Sequence, residues 1–132
     1  MMFDVGGIVQ IYAPTAGKNK YHLCVCCANV DGVEKFLFIN SGSGYKADFV
    51  VKDGEIDGLP KSPTGDSIIS CSIVVRHNQQ QLKLYKAKKL SVIKTTTAKK
   101  LILFISESNA LPLRQREEIK LSLEKLVGDR KK

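Results

Sequence analysis

The chain has no tryptophan and only two histidines among its 132 residues. No apolar run approaches the roughly 20 residues that a bilayer-crossing helix needs, so a membrane-spanning helix is excluded. With His22 and His77 alone available, any imidazole acid–base mechanism must use one or both. The start, Met1-Met2-Phe3-Asp4-Val5-Gly6-Gly7, lacks the basic and apolar segments of a secretory signal, and the expected location is the cytoplasm. Also missing are a P-loop, a dinucleotide-type glycine pattern, an HExxH pair, a nucleophile elbow and any internal repeat. No cofactor and no metal are expected. At 43% apolar and 26% charged residues, the composition is that of one globular unit spanning residues 1–132.

What the sequence has is a lopsided charge. Residues 1–75 carry 6 lysines against 8 acids, whereas residues 76–132 carry 15 basic residues against 5 acids, so the net +8 comes from −2 and +10. A field of that sign attracts polyanions, and RNA or DNA is the natural partner class, although a basic surface also serves solubility alone. Three of the four cysteines, Cys24, Cys26 and Cys27, fall in one apolar run and Cys71 in another. Adjacent strand residues point to opposite faces, so this spacing does not build a zinc clip, and all four read as reduced packing residues.

Residues 7–12 predict a first strand, and residues 13–20 a loop. Residues 21–29 read as a strand buried on both faces, turning at Asp31-Gly32 into a third strand over 34–40, with Phe36, Phe38 and Asn40 on one face and Leu37 and Ile39 on the other. A short strand over 47–51 and a turn-rich segment over 53–66 follow. Residues 67–76 form the longest strand candidate, and residues 82–86 alternate apolar and basic as an edge strand would. From residue 95 the period becomes 3.6, with Ala98, Leu101, Ile102 and Ile105 on one face and Thr95 to Thr97 as N-cap candidates. Pro112 opens a second helix whose stripe of Ile119, Leu123, Leu126 and Val127 stops at Gly128. The expected fold is mainly β with C-terminal helices (α+β): a strongly bent antiparallel small barrel over about 5–94, helices over about 95–127 and a frayed basic tail over 128–132.

Several groupings can carry chemistry. The loop Asn40-Ser41-Gly42-Ser43-Gly44-Tyr45-Lys46 combines backbone N–H groups freed by glycine with hydroxyls, an aromatic ring and a lysine, which suits a phosphate or a stacked base but also an ordinary turn. Lys18-Asn19-Lys20-Tyr21-His22 sets two ammonium groups beside an imidazole, able to stabilise an anionic phosphorane and move a proton. Arg76, next to His77, can grip a phosphate with two hydrogen bonds. The expectation is that strand ends gather Lys20, Ser41 and Arg76 around one groove.

The chain resembles the MazF/PemK-like toxins of bacterial toxin–antitoxin systems. The resemblance rests on Gly7-Ile8-Val9, the basic loop before Leu23-Cys24-Val25-Cys26, Ile39-Asn40-Ser41, Gly58-Leu59-Pro60 ahead of Asp66-Ser67-Ile68-Ile69, and Lys89-Leu90-Ser91 with the helix after it. It implies an SH3-like barrel of the MazF/CcdB type, commonly a homodimer, that cuts single-stranded RNA without metal and is held inactive by an acidic antitoxin. In that chemistry the ribose 2′-hydroxyl attacks the adjacent phosphate, leaving a 2′,3′-cyclic phosphate and a 5′-hydroxyl. Carried over, Lys20, His22, Ser41, Arg76 and His77 are the catalytic candidates, and Lys18, Asn40, Ser43, Tyr45 and Lys46 the RNA-binding ones. The family's Arg-Pro is replaced here by Lys20-Tyr21-His22, and its Arg-x-Asp-like pairing has no counterpart in Val74-Val75-Arg76-His77. The alternative is a non-catalytic small barrel that binds nucleic acid or protein. Gyrase poisoning of the CcdB kind ranks low, because those proteins resemble one another in a Trp-containing tail.

Overall fold

The computed structural model describes residues 3–26, 32–41 and 48–130. Seven strands, β1 (Gly7–Ala13), β2 (Lys18–Cys26), β3 (Val33–Ser41), β4 (Asp48–Lys52), β5 (Asp66–Ser70), β6 (Val75–Asn78) and β7 (Lys88–Val92), are accompanied by α1 (Gln79–Leu84), α2 (Thr95–Glu107) and α3 (Leu113–Arg130). The sheet runs β4-β5-β3-β2-β1-β7, with β6 also on β3, and every pairing is antiparallel. It curls strongly into a half-barrel, with the C-terminal helices packed on it. Among the described residues no helix is long and apolar enough to cross a membrane.

Period-two alternation divides the sheet between two cores. Ile8, Leu23, Leu37 and Ile39 face one that Leu101, Ile105, Ile119 and Leu123 of the helices complete. Val9, Ile11, Cys24 and Phe36 face the other, closed by Phe3, Leu82 and Ala87. Leu23, Cys24 and Val25 are all fully buried, as a strand apolar on both faces requires. Cys24 and Cys71 are buried free thiols, and burial pushes the Cys71 thiol up to about 12, which suits packing rather than reactivity. Cys27 lies outside the described residues, as does the Cys26 side chain.

Four expectations are corrected. The long strand over 67–76 is two strands: β5 pairs with the Ile39–Ser41 end of β3 and β6 with its Val33–Phe36 end, while residues 71–74 bulge between them. Residues 82–86 are not an edge strand. Asn78 accepts a hydrogen bond from the Gln81 backbone N–H while the Gln81 side chain accepts from the Asn78 N–H, and this capping box starts α1 ahead of the alternating residues. The strand in that region is β7, on the other edge of β1. At the helices, Lys94 rather than a threonine is the N-cap of α2, and Gly128 lies inside α3 instead of ending it.

Two backbone sites hold the half-barrel together. Gly6, at φ +88°, donates to Cys24 O and accepts from Ile93 N, and a Cβ there would lie 2.7 Å from Leu126 Cδ2, so only glycine joins β2, β7 and α3 at that point. α1 ends in a Schellman motif, with Ala87 N donating to Leu82 O and Lys86 N to Lys83 O. Its left-handed position, normally glycine, is Lys86 at φ 52°. Lys86→Gly should therefore raise stability by about 1 kcal/mol, seen as a higher urea midpoint; a lower midpoint would contradict this reading of the turn.

Candidate nucleic-acid interface

β1 and β2 continue together to their shared loop end, with Ile11 opposite Lys20, Tyr12 opposite Asn19 and Ala13 opposite Lys18. The third wall comes from the turn-rich segment over 53–65. Its Asp53 carboxylate accepts from Ser62 N at 3.1 and 3.2 Å, its Glu55 carboxylate accepts from the Thr97 hydroxyl at 3.1 Å, and Ser91 Oγ donates to Asp57 O. Ile56 plugs the first core at 3% exposure. Gly58, at φ +86°, lets the segment approach Leu90, whose Cβ would lie 3.2 Å from any Cβ added there. These anchors, with Pro60 and Pro63, make a fixed wall rather than a loose loop.

Between the walls lies a groove of about 360 Å³. Lys18, Lys20 and Lys61 contribute ammonium groups, Asn40 and Ser67 polar groups, and Tyr21, Ile39, Leu59 and Pro60 apolar surface. No carboxylate is among the described residues that line it. Lys20 Nζ donates to Asn40 Oδ1 at 2.8 Å, which fixes one cation against β3. Of the acids nearest in sequence to the lining, Asp66 is paired with Lys52 Nζ at 3.4 Å, Asp53 and Glu55 are engaged within the wall and with α2, and Asp57 is exposed two residues before Leu59. A concave, water-open site with three cations and hydrogen-bonding side chains is suited to a phosphodiester backbone.

The histidines are elsewhere. His22 follows Lys20 by two residues, so it lies on the same sheet face but deeper, at 1% exposure, packed on Phe38 (4.8 Å between ring centroids) and Phe36 (5.8 Å). Its Nδ1 lies 3.1 Å from Lys20 O, a pure acceptor, so Nδ1 carries the proton. Burial pulls the imidazole down to about 4, with the His77 and Lys20 charges adding and the carbonyl contact opposing. His77, on β6, is half-buried with its ring 6.1 Å from that of His22, and burial lowers it as well. Glu34, opposite His77 and fully buried, accepts from the Phe3 N–H, and burial raises its carboxyl.

The convergence expected from the sequence is therefore only partly present. Lys18, Lys20 and Asn40 share the groove. Arg76 does not reach it: it pairs with Lys35 at the opposite end of β3, about 17 Å from Asn40 at the usual rise per strand residue. The reason is the bulge, which splits the long strand and sends its second half along the far end of β3. Ser41 lies opposite Ser67 in the backbone ladder, though its side chain is outside the description, and Ser43, Tyr45 and Lys46 lie outside the described residues. The chain matches no known protein-family model and no curated protein. The site's chemistry therefore rests on its own residues. Among the described residues no group of three or more His, Cys, Asp or Glu is arranged to hold a metal ion.

Sequence reading missed Lys61, Ser67 and Tyr21. The signal for Lys61 was present in Pro60-Lys61-Ser62-Pro63, where a lysine is held between two residues of fixed φ.

Proposed function

We propose that this protein binds single-stranded RNA through the lysine groove, as a small barrel of the MazF/PemK-like toxin type. The observation that carries the reading is the meeting of Lys18, Lys20 and Lys61 with Asn40 and Ser67 in a lining that has no acid among the described residues. Lysines neutralise phosphates, while an amide and a hydroxyl beside them can hydrogen-bond a ribose 2′-hydroxyl or an unpaired base edge. An acidic antitoxin would compete for the same lysines, and a homodimer would carry two such grooves.

Binding without scission is the better-supported form of this reading. Cleavage by the 2′-hydroxyl needs a base and an acid at the phosphate, whereas His22 is buried and Arg76 is at the other end of β3. The metal-independent endoribonuclease reading is favoured by one observation, the cation of Lys20 fixed on Asn40 immediately before Ser41. The two separate in one experiment: a labelled single-stranded RNA is incubated with excess protein in EDTA, and anisotropy and 5′ ends are followed together. Saturable binding with intact RNA is expected. New ends bearing 5′-hydroxyls would establish the nuclease reading, and unbound, intact RNA at low salt would remove both.

A further inference from the structure

We propose that Tyr12 is a base-stacking platform over which the strand leaves the lysine groove toward Lys88; this deepens the RNA-binding reading and rests on it. Tyr12 is 41% exposed on β1, which is an interior strand with β2 on one side and β7 on the other. The antiparallel register sets Tyr12 opposite Asn19 and Gln10 opposite Tyr21, and both partners line the groove. On its other side Gln10 is opposite Lys88. Paired residues share a face, so one face of the sheet carries, strand by strand, Asn19 and Tyr21, then Tyr12 and Gln10, then Lys88. Two strand spacings put Lys88 about 10 Å from Tyr21.

Tyr12 therefore lies between the groove-lining Asn19 and Tyr21 on one side and the cation of Lys88 on the other, while Lys18 and Lys20, paired with Ala13 and Ile11, fall on the opposite face of β2. The Tyr12 N–H donates to Tyr85 O at 3.1 Å, which ties its backbone to the segment carrying the exposed Lys86 and Lys88. That side of the ring meets no acid of its own segment, since the sequence has no Asp or Glu from Ser67 to Ser106. An aromatic ring held on a hydrogen-bonded strand, between the polar lip of a lysine groove and a further ammonium group, is the arrangement by which single strands are bound: phosphates on the lysines and a base on the ring. A lone exposed tyrosine would mean little, but here β2 joins it to the groove lining and β7 supplies a cation on the same face.

The test uses the absence of tryptophan. Tyr12→Trp creates a unique fluorophore, titrated with an oligonucleotide of about 12 nucleotides and, separately, with inorganic polyphosphate, which has charge but no bases. Quenching by the oligonucleotide and not by polyphosphate is expected. In parallel, Tyr12→Ala should weaken binding of the same oligonucleotide about tenfold while Tyr12→Phe retains it, and oligonucleotides of about four nucleotides, filling the groove alone, should bind both variants equally. Unchanged affinity in Tyr12→Ala, or unmoved tryptophan emission while anisotropy reports binding, would overturn the platform and leave the groove intact. Failure of the parent protein to bind any oligonucleotide would overturn the groove itself, and the platform with it.

Discussion

On acidification from pH 7 to about 4 the protein should lose about 3 kcal/mol of stability through His22 alone. The imidazole titrates near 6.5 in the unfolded chain and at about 4 when folded, chiefly because burial disfavours its charged form. A group whose pKa is depressed by folding supports the fold above the unfolded value, and that support drains away as the pH falls through the folded one. The drop from 6.5 to about 4, at about 1.4 kcal/mol per unit, gives the magnitude. His77 shifts in the same direction and adds to the loss. Glu34 works against it: burial holds its carboxyl above the ordinary value, so proton uptake there returns some stability. Urea denaturation of the parent and of His22→Phe across this range at constant ionic strength isolates the effect. The variant, whose ring suits the Phe36 and Phe38 packing, should show a flatter profile by about that amount. Identical slopes in the two proteins would mean that His22 is not the neutral core residue described here.

The second large effect concerns the groove. Neutralising two of its lysines in Lys20→Gln/Lys61→Gln should weaken single-stranded RNA binding about 25-fold at 0.1 M salt, since each lost phosphate contact removes about 0.7 decade for a single strand. The loss should hold across RNA sequences, because phosphate contacts position a strand without reading it. Arg76→Gln, changed at the far end of β3, should leave affinity within about twofold at the same salt, since Arg76 is outside the groove. Comparable losses from Arg76→Gln and from the double variant would show that the strand follows β6 and not the groove.

The parts of this account that were legible in the sequence are those governed by local pattern. Alternation in Phe36-Leu37-Phe38-Ile39-Asn40 assigned the two faces of β3, and the 3.6 period of Ala98, Leu101 and Ile105 located α2. The run around Cys24 indicated burial on both sides of β2. What failed was non-local. Nothing in residues 67–76 announces a break, because the split depends on pairing with two separate stretches of β3, distant in sequence. That one error moved Arg76 away from the site. Alternation in Leu82-Lys83-Leu84-Tyr85-Lys86 was outweighed by the Asn78–Gln81 capping box, whose effect extends a full turn beyond the residues that make it. Lys20 and Asn40 were singled out because each lies where an expected loop meets an expected strand, although Lys20 is already inside β2. Lys61 escaped because its wall is held by contacts to Thr97 and Ser91, distant in sequence.

The salt dependence of single-stranded RNA affinity tests the central claim most directly. A strand lying on Lys18, Lys20 and Lys61 predicts that log K falls with log salt at a slope of about −2 or steeper, and that Lys20→Gln/Lys61→Gln makes the slope shallower by about 1.4. A slope near zero, or one that the double variant leaves unchanged, would contradict it.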